Sequence, residues 1–183
     1  MDLFEAAERN NLEELKKGIT EGLDVNANLF GWTPLHKAAI FGNGDCVELL
    51  LNAGARPDEK SKYGITPLQL ASQNGTSTKA IQALLRYGAD VNIFDKENNT
   101  PLHMAARNSG GHGGCVQALL QGGADYILQN NEGKTAEDLT PEGNKKNVLR
   151  DHRIAQEQKA LQEVPMPENL PERHTPRIGR GRL

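Results

Sequence analysis

The sequence predicts an all-α repeat solenoid, a row of helix-turn-helix units joined by β-hairpin-like loops. Two observations carry this prediction. The first is a period. Thr33-Pro34-Leu35-His36-Lys37-Ala38-Ala39 recurs as Thr66-Pro67-Leu68-Gln69-Leu70-Ala71 and as Thr100-Pro101-Leu102-His103-Met104-Ala105-Ala106, with a fainter echo at Thr135-Ala136-Glu137-Asp138-Leu139. The steps are 33, 34 and 35 residues. A fixed period of this length marks a stacked array. The second observation is that another block keeps register with the first. Leu49-Leu50-Leu51-Asn52-Ala53-Gly54-Ala55, Leu84-Leu85-Arg86-Tyr87-Gly88-Ala89-Asp90 and Leu119-Leu120-Gln121-Gly122-Gly123-Ala124-Asp125 each follow one copy.

Each element of a unit has a local cause. Thr33 is a good helix N-cap, and Pro34 suits the first helical position, where no amide donor is needed. Leu35, Ala38 and Ala39 give a short helix with an apolar face, and the small alanines let a second helix approach closely. Gly42 ends the first helix. Cys46, Val47, Leu50 and Leu51 form the stripe of the second helix at three-to-four-residue spacing. Gly54 sits where a left-handed residue stops it. A polar hairpin then runs to Gly64, and Thr66 restarts the cycle. No unit buries both faces of its helix pair alone, so stacking makes the core.

The block T-P-L-H-x-A-A at this period resembles the ankyrin repeat, and the register of the second block makes the match specific. The resemblance covers roughly residues 2–150 and implies a domain over 1–150, with units near 2–26, 27–57, 58–93, 94–127 and 128–150. The first unit keeps Leu3, Ala6, Ala7, Asn10, Leu12, Leu15, Gly22 and Asp24-Val25-Asn26 but lacks the T-P-L-H block. It carries Glu5, Glu8, Arg9, Glu13, Glu14, Lys16 and Lys17, as a capping unit should. The fifth puts Glu137 and Asp138 where its siblings have Leu and His, and reads as the other cap. Residues 151–164 are expected to extend the last helix. Residues 165–183, rich in Pro and Gly, are expected to be a disordered basic tail.

Composition narrows the function. Aromatic residues are 4% of the chain and the formal net charge is −3. Residues 1–143 carry net −7 and residues 144–183 net +4. An acidic array argues against a nucleic-acid face, which needs a basic stripe. No apolar run approaches the ~20 residues of a membrane span, and no secretory leader is apparent from Met1. The expected location is cytoplasmic or nuclear. Cys46 and Cys115 hold the same position two units apart. At helix spacings of 8–10 Å they lie about 20 Å apart, too far for a disulfide. Both read as small buried residues of a reducing compartment.

No catalytic site emerges. Glu132-Gly133-Lys134-Thr135 looks like the end of a phosphate-binding loop, but Leu128 stands where that motif needs glycine. Ser109-Gly110-Gly111-His112-Gly113-Gly114 falls between two helices and accounts for a two-residue insertion. His36 and His103, one per unit and two units apart, cannot share a metal ion. The family resemblance implies instead that each histidine ties its own hairpin to the next. No enzyme, metal or cofactor is expected.

What remains is a binding surface. The resemblance implies that hairpin tips and the outer face of each first helix line one concave side. The matching positions are Ala27, Leu29, Phe30, Trp32, Ile40 and Phe41 in the second unit. In the third they are Lys60, Lys62, Tyr63, Ile65, Gln73 and Asn74. In the fourth they are Phe94, Lys96, Glu97, Asn99, Arg107 and Asn108, and in the fifth Gln129, Asn131, Glu132 and Lys134. Five of the eight aromatic residues fall on these positions. A solvent-facing cluster of that kind marks a partner site; the alternative is inter-repeat packing, with Trp32 along the neighbouring hairpin and Phe41 against the stack. The predicted protein-binding residues are Leu29, Phe30, Trp32, Ile40, Phe41, Tyr63, Ile65, Phe94 and Arg107.

The expected function is a non-enzymatic, monomeric protein-binding module, an adaptor or a stoichiometric inhibitor, with a protein partner and no membrane or nucleic acid. The alternatives are a chromatin-associated factor acting through the basic tail and a host-directed bacterial or viral effector. Asn26 and Asn92, in Asp-Val-Asn hairpins, resemble sites that an asparaginyl hydroxylase modifies in ankyrin arrays.

Overall fold

A computed structural model describes residues 2–108 and 113–163. The expected disordered tail at 165–183 and most of the glycine-rich segment, 109–112, lie outside the described residues. The helices are α1 (Leu3–Glu8), α2 (Leu12–Thr20), α3 (Pro34–Ile40), α4 (Gly44–Asn52), α5 (Pro67–Asn74), α6 (Thr78–Arg86), α7 (Pro101–Arg107), α8 (Gly114–Gln121), α9 (Ala136–Leu139) and α10 (Asn144–Glu163). The odd-numbered helices stack on one another from α1 to α9, and the even-numbered ones stack from α2 to α10. The architecture is an all-α solenoid of two helical layers, with no named strand among the described residues.

The first layer starts from a repeated cap. Thr33, Thr66, Thr100 and Thr135 each accept a hydrogen bond from the amide three residues on, and that residue's side chain accepts from the threonine amide. His36, Gln69, His103 and Asp138 make this return bond at 3.2, 2.9, 3.1 and 2.9 Å. Because Nδ1 accepts, each imidazole carries its proton on Nε2. His36 Nε2 then donates to the Ile65 carbonyl at 3.2 Å, and His103 Nε2 to the Lys134 carbonyl at 3.0 Å. Gln69 does the same with its amide, donating to the Asn99 carbonyl at 3.1 Å. Asp138 has no hydrogen to pass on, and no further hairpin follows it among the described residues. The histidines thus act as links between hairpins, as the family resemblance implied.

A second ladder ties the far ends of these helices. Asn43 Nδ2 donates to the Ala7 carbonyl at 2.7 Å, Asn74 Nδ2 to Ile40 at 2.9 Å, and Asn108 Nδ2 to Asn74 at 2.9 Å. Each amide closes a C-terminal carbonyl that its own helix leaves open. Lys145 takes the next rung, donating to the Ala105 carbonyl at 3.2 Å and to that of Asn108.

The core is the seam between layers. Leu35, Leu50, Leu68, Ile81, Leu84, Leu102, Leu119 and Leu149 are buried within it, around Ala38, Ala39, Ala71, Ala105 and Ala106. Each large side chain contributes ~1.5–3 kcal/mol on burial. Leu84, not Leu85, faces this seam; Leu85 is half-buried. Cys46 and Cys115 are buried and free. Cys46 Sγ also donates to Asn10 Oδ1 at 3.3 Å, and burial pushes its thiol up to about 11. α10 is continuous, so the second helix of the last pair and its extension are one element. Its first half docks through Leu149, whereas Ile154 and Leu161 are exposed.

Candidate protein-binding surface

The hairpins differ in how they turn. Leu29 and Trp32 form an antiparallel bridge, closed by bonds of 2.8 and 3.0 Å. Between them Phe30 and Gly31 have φ of 52° and 85°, the signature of a type I′ turn. A Cβ on Gly31 would meet the Lys62 amide at 2.4 Å, so the next hairpin presses directly on this one. In the later hairpins Gly64, Asn98 and Gly133, at the place of Gly31, are left-handed, while Tyr63, Glu97 and Glu132, at the place of Phe30, are not. A left-handed aromatic residue costs ~1–2 kcal/mol, and Phe30, 81% exposed, recovers little of it by packing.

The predicted residues separate into three groups. Leu29, Phe30 and Trp32 line a groove of about 650 Å³ at the α1 end, with Phe4 opposite them. Lys37 pairs with Glu8 across it at 2.9 Å, and Arg9 pairs with Glu5 along α1 at 2.9 Å. Trp32 is half-buried and meets the His36 ring edge-on at 5.7 Å, so part of its role is packing. Tyr63, Ile65 and Arg107 line a second groove of about 780 Å³, between the hairpins and first helices of the third and fourth units. Lys62 stacks over the Tyr63 ring at 4.9 Å, between the two grooves. Ile40, Phe41 and Phe94 are 37%, 49% and 40% exposed and line neither groove.

Three side chains read as surface contacts have structural tasks. Asn74 and Asn108 are rungs of the capping ladder. Asn99 is buried, and its carbonyl receives Gln69. Phe4 and Met104 line the grooves and were not foreseen. Phe4 lies in the unit without the T-P-L-H block, so no register placed it. Met104 varies between copies, as Lys37 and Leu70 do at the same offset, and that variation was the available signal.

Asn26 and Asn92 are half-buried at the junctions between hairpins. Asn26 Oδ1 accepts from the Arg56 amide at 2.9 Å, and its Nδ2 donates to the Gly54 carbonyl at 3.1 Å. Asn92 Oδ1 accepts from the Asp125 amide at 2.9 Å. Asp58 occupies the equivalent place and accepts from the Asp90 amide at 3.1 Å. Burial, and after it the Asp90 charge, raises the Asp58 carboxyl above its ordinary value. Burial likewise lowers the His36 and His103 imidazoles, against the opposing pull of the carbonyls they donate to.

A family model described as ankyrin repeats, in three copies, matches residues 3–95 and 53–130. The chain belongs to the ankyrin-repeat family. Ankyrin repeats of this kind form a protein–protein interaction module, and the ankyrin domain is a non-enzymatic interaction fold. Among curated relatives the chain is similar to the mitochondrial disaggregase of Homo sapiens, 34% identical over 181 residues, covering 81% of this chain and 25% of the relative. It is 40% identical over 117 residues to the ankyrin repeat and SOCS box protein 11 of Danio rerio, covering 64% of this chain and 39% of the relative. It is 37% identical over 134 residues to the SH3 and multiple ankyrin repeat domains protein 2 of Homo sapiens, covering 72% of this chain and 7% of the relative. The chain thus spans well under half the length of each, and what is similar is the ankyrin array. No described helix is long and apolar enough to cross a membrane.

Proposed function

We propose that this ankyrin array is an adaptor or stoichiometric inhibitor that holds one protein partner on its hairpin-and-first-helix face. The observation that carries the reading is the exposure of Leu29, Phe30, Ile40, Phe41, Tyr63 and Phe94 on neighbouring units, none of them in the core. Each keeps a large part of its apolar surface in solvent, and at Phe30 the backbone is strained as well. Each aromatic that a partner covers contributes ~1.5–3 kcal/mol before the costs of association. Asn26 and Asn92 remain the candidate hydroxylation sites of this reading, beside the face rather than on it.

The test is affinity capture of partners with the wild-type chain and with a Phe30→Asn, Phe41→Ala variant. Asparagine tolerates the left-handed backbone, so the variant is expected to keep its melting temperature and to lose its specific partner at least tenfold. Unchanged capture by the variant counts against this face. Peptide mapping that finds no added oxygen on Asn26 or Asn92, in cells that contain an asparaginyl hydroxylase, counts against the modification.

A further inference from the structure

The two grooves differ in charge in a way that the net acidity of the chain conceals. In the groove at the α1 end, the cations Lys37 and Arg9 have carboxylate partners at 2.9 Å, and the third, Lys62, lies over the Tyr63 ring. In the groove between the third and fourth units, Lys96 and Arg107 have none: among the described residues neither forms an ion pair. The carboxylates that share this groove are turned to their own hairpin, Asp95 to the backbone and to Asn99, Glu97 to the Asn99 side chain. Asp95 Oδ1 accepts from the Glu97 and Asn99 amides, both at 2.8 Å. Asn99 Nδ2 donates to Asp95 Oδ2 at 3.2 Å and to Glu97 Oε2 at 3.3 Å. The aliphatic stem of Lys96 lies on Gly64, at 3.7 Å from the place of a Cβ. Arg107 stands at the end of α7. The apolar surface beside these cations comes from Tyr63, Ile65 and Met104.

We infer that this groove takes an acidic segment of a protein partner in extended form. A carboxylate of the segment pairs with Arg107 and Lys96, and an adjacent apolar side chain rests on Ile65, Met104 and Tyr63. The inference rests on the binding face proposed above and adds the chemistry of what it holds. Three arguments favour it. Guanidinium and ammonium groups that form no ion pair on a rigid frame gain from a carboxylate without first breaking one. The groove has the mixed lining, apolar with a few convergent polar groups, that orients a bound chain. Nucleic acid fits less well, because a phosphate polymer would also run along an array of net −7 over residues 1–143, where its charge is repelled.

The probe is a phage-displayed library of random twelve-residue peptides, selected on the full chain and on an Arg107→Glu, Lys96→Glu variant. Both side chains are exposed, so the variant is expected to melt as the wild type does. Should it melt lower, Arg107→Gln with Lys96→Gln takes its place. The expected result is a wild-type pool enriched in Asp or Glu next to Leu, Ile or Phe, with single peptides binding at least tenfold more weakly to the variant. Their affinity should also fall as salt rises. A pool whose mean charge is unshifted, or whose peptides bind the variant as well as the wild type, overturns the inference. So does a fluorescein-labelled dT12 oligonucleotide that binds more tightly than the selected peptides. If the acidic preference fails while Phe30→Asn with Phe41→Ala still abolishes partner capture, the binding face stands and only the assigned partner chemistry falls.

Discussion

Two seams run along this array, and they tolerate error differently. The inner seam is the row of His36, Gln69 and His103, each fully buried and each linking its threonine cap to the next hairpin. The outer seam is the row of Asn26, Asp58 and Asn92, each half-buried and each receiving an amide from the start of the following hairpin. In the inner seam His and Gln alternate, and both offer an acceptor at one end and a donor at the other. A side chain without a donor, Asp138, appears only where no described hairpin follows. In the outer seam the donor is lost in mid-array at Asp58, and the fold persists. Water explains the difference. A buried carbonyl that loses its donor keeps the whole desolvation cost, whereas a half-exposed one is solvated instead.

The strongest way to break this comparison is to move the outer lesion inward. His36→Asp keeps the cap on Thr33 but orphans the Ile65 carbonyl and buries a charge. A loss of about 3 kcal/mol or more is expected in urea denaturation. A loss below 1 kcal/mol would mean that the inner seam is as wet as the outer one.

A second test uses pH. The His36 and His103 imidazoles titrate below their ordinary value of 6.5 because burial disfavours the charged form. The unfolded chain therefore takes up protons first as pH falls. The stability these residues provide is complete above about pH 6.5 and is lost as pH drops toward and through their folded values. Replacing both by glutamine, the residue already present at 69, should leave the fold intact and flatten the dependence between pH 7 and 5. An undiminished slope in the double variant would place the proton uptake elsewhere.

A smaller effect of opposite sign belongs to the outer seam. Asp58 titrates above its ordinary value of 3.8, so its charged form is the disfavoured one in the fold. Its contribution is best below that value and worsens as pH rises through the folded value. Asp58→Asn removes the repulsion from Asp90 and supplies a donor of the kind that Asn26 gives to Gly54. A gain of ~0.5–1 kcal/mol at pH 7 is expected, shrinking toward zero near pH 3 in matched melts. A loss of stability at neutral pH would show that Asp58 is held by more than its amide partner.

The smallest stability change is expected at the hairpin tip. Phe30→Gly relieves a left-handed aromatic residue and should leave stability unchanged or raise it by up to ~1 kcal/mol. Glycine adds freedom to the unfolded chain, which offsets part of that gain. A clear destabilisation would show that Phe30 packs in solution.

The sequence made the periodic parts legible. Thr33, Pro34, Leu35 and their copies encode cap, first turn and core contact locally, so register placed the helices, and the family resemblance implied the histidine links. What it left obscure depends on contacts across units. Asn74 and Asn108 looked like surface amides because the carbonyls they close belong to the preceding unit. The half-burial of Trp32 depends on the neighbouring His36 ring. The difference between the grooves was not readable either, since whether a lysine has a carboxylate partner is decided by three-dimensional neighbours some 30 residues away, as for Lys37 and Glu8.

The position of Trp32 also has a spectroscopic consequence. It is the sole tryptophan of the chain, and its indole stands edge-on to the His36 imidazole. Imidazolium quenches indole emission more strongly than neutral imidazole does, and solvent shifts that emission to the red. Selective excitation of this one residue therefore reports on a single inter-unit junction, near the α1 end. Dimming without a red shift would mark protonation of an intact seam, and a red shift would mark its opening. The chain thus carries an intrinsic probe able to separate local fraying at that end from cooperative unfolding of the stack.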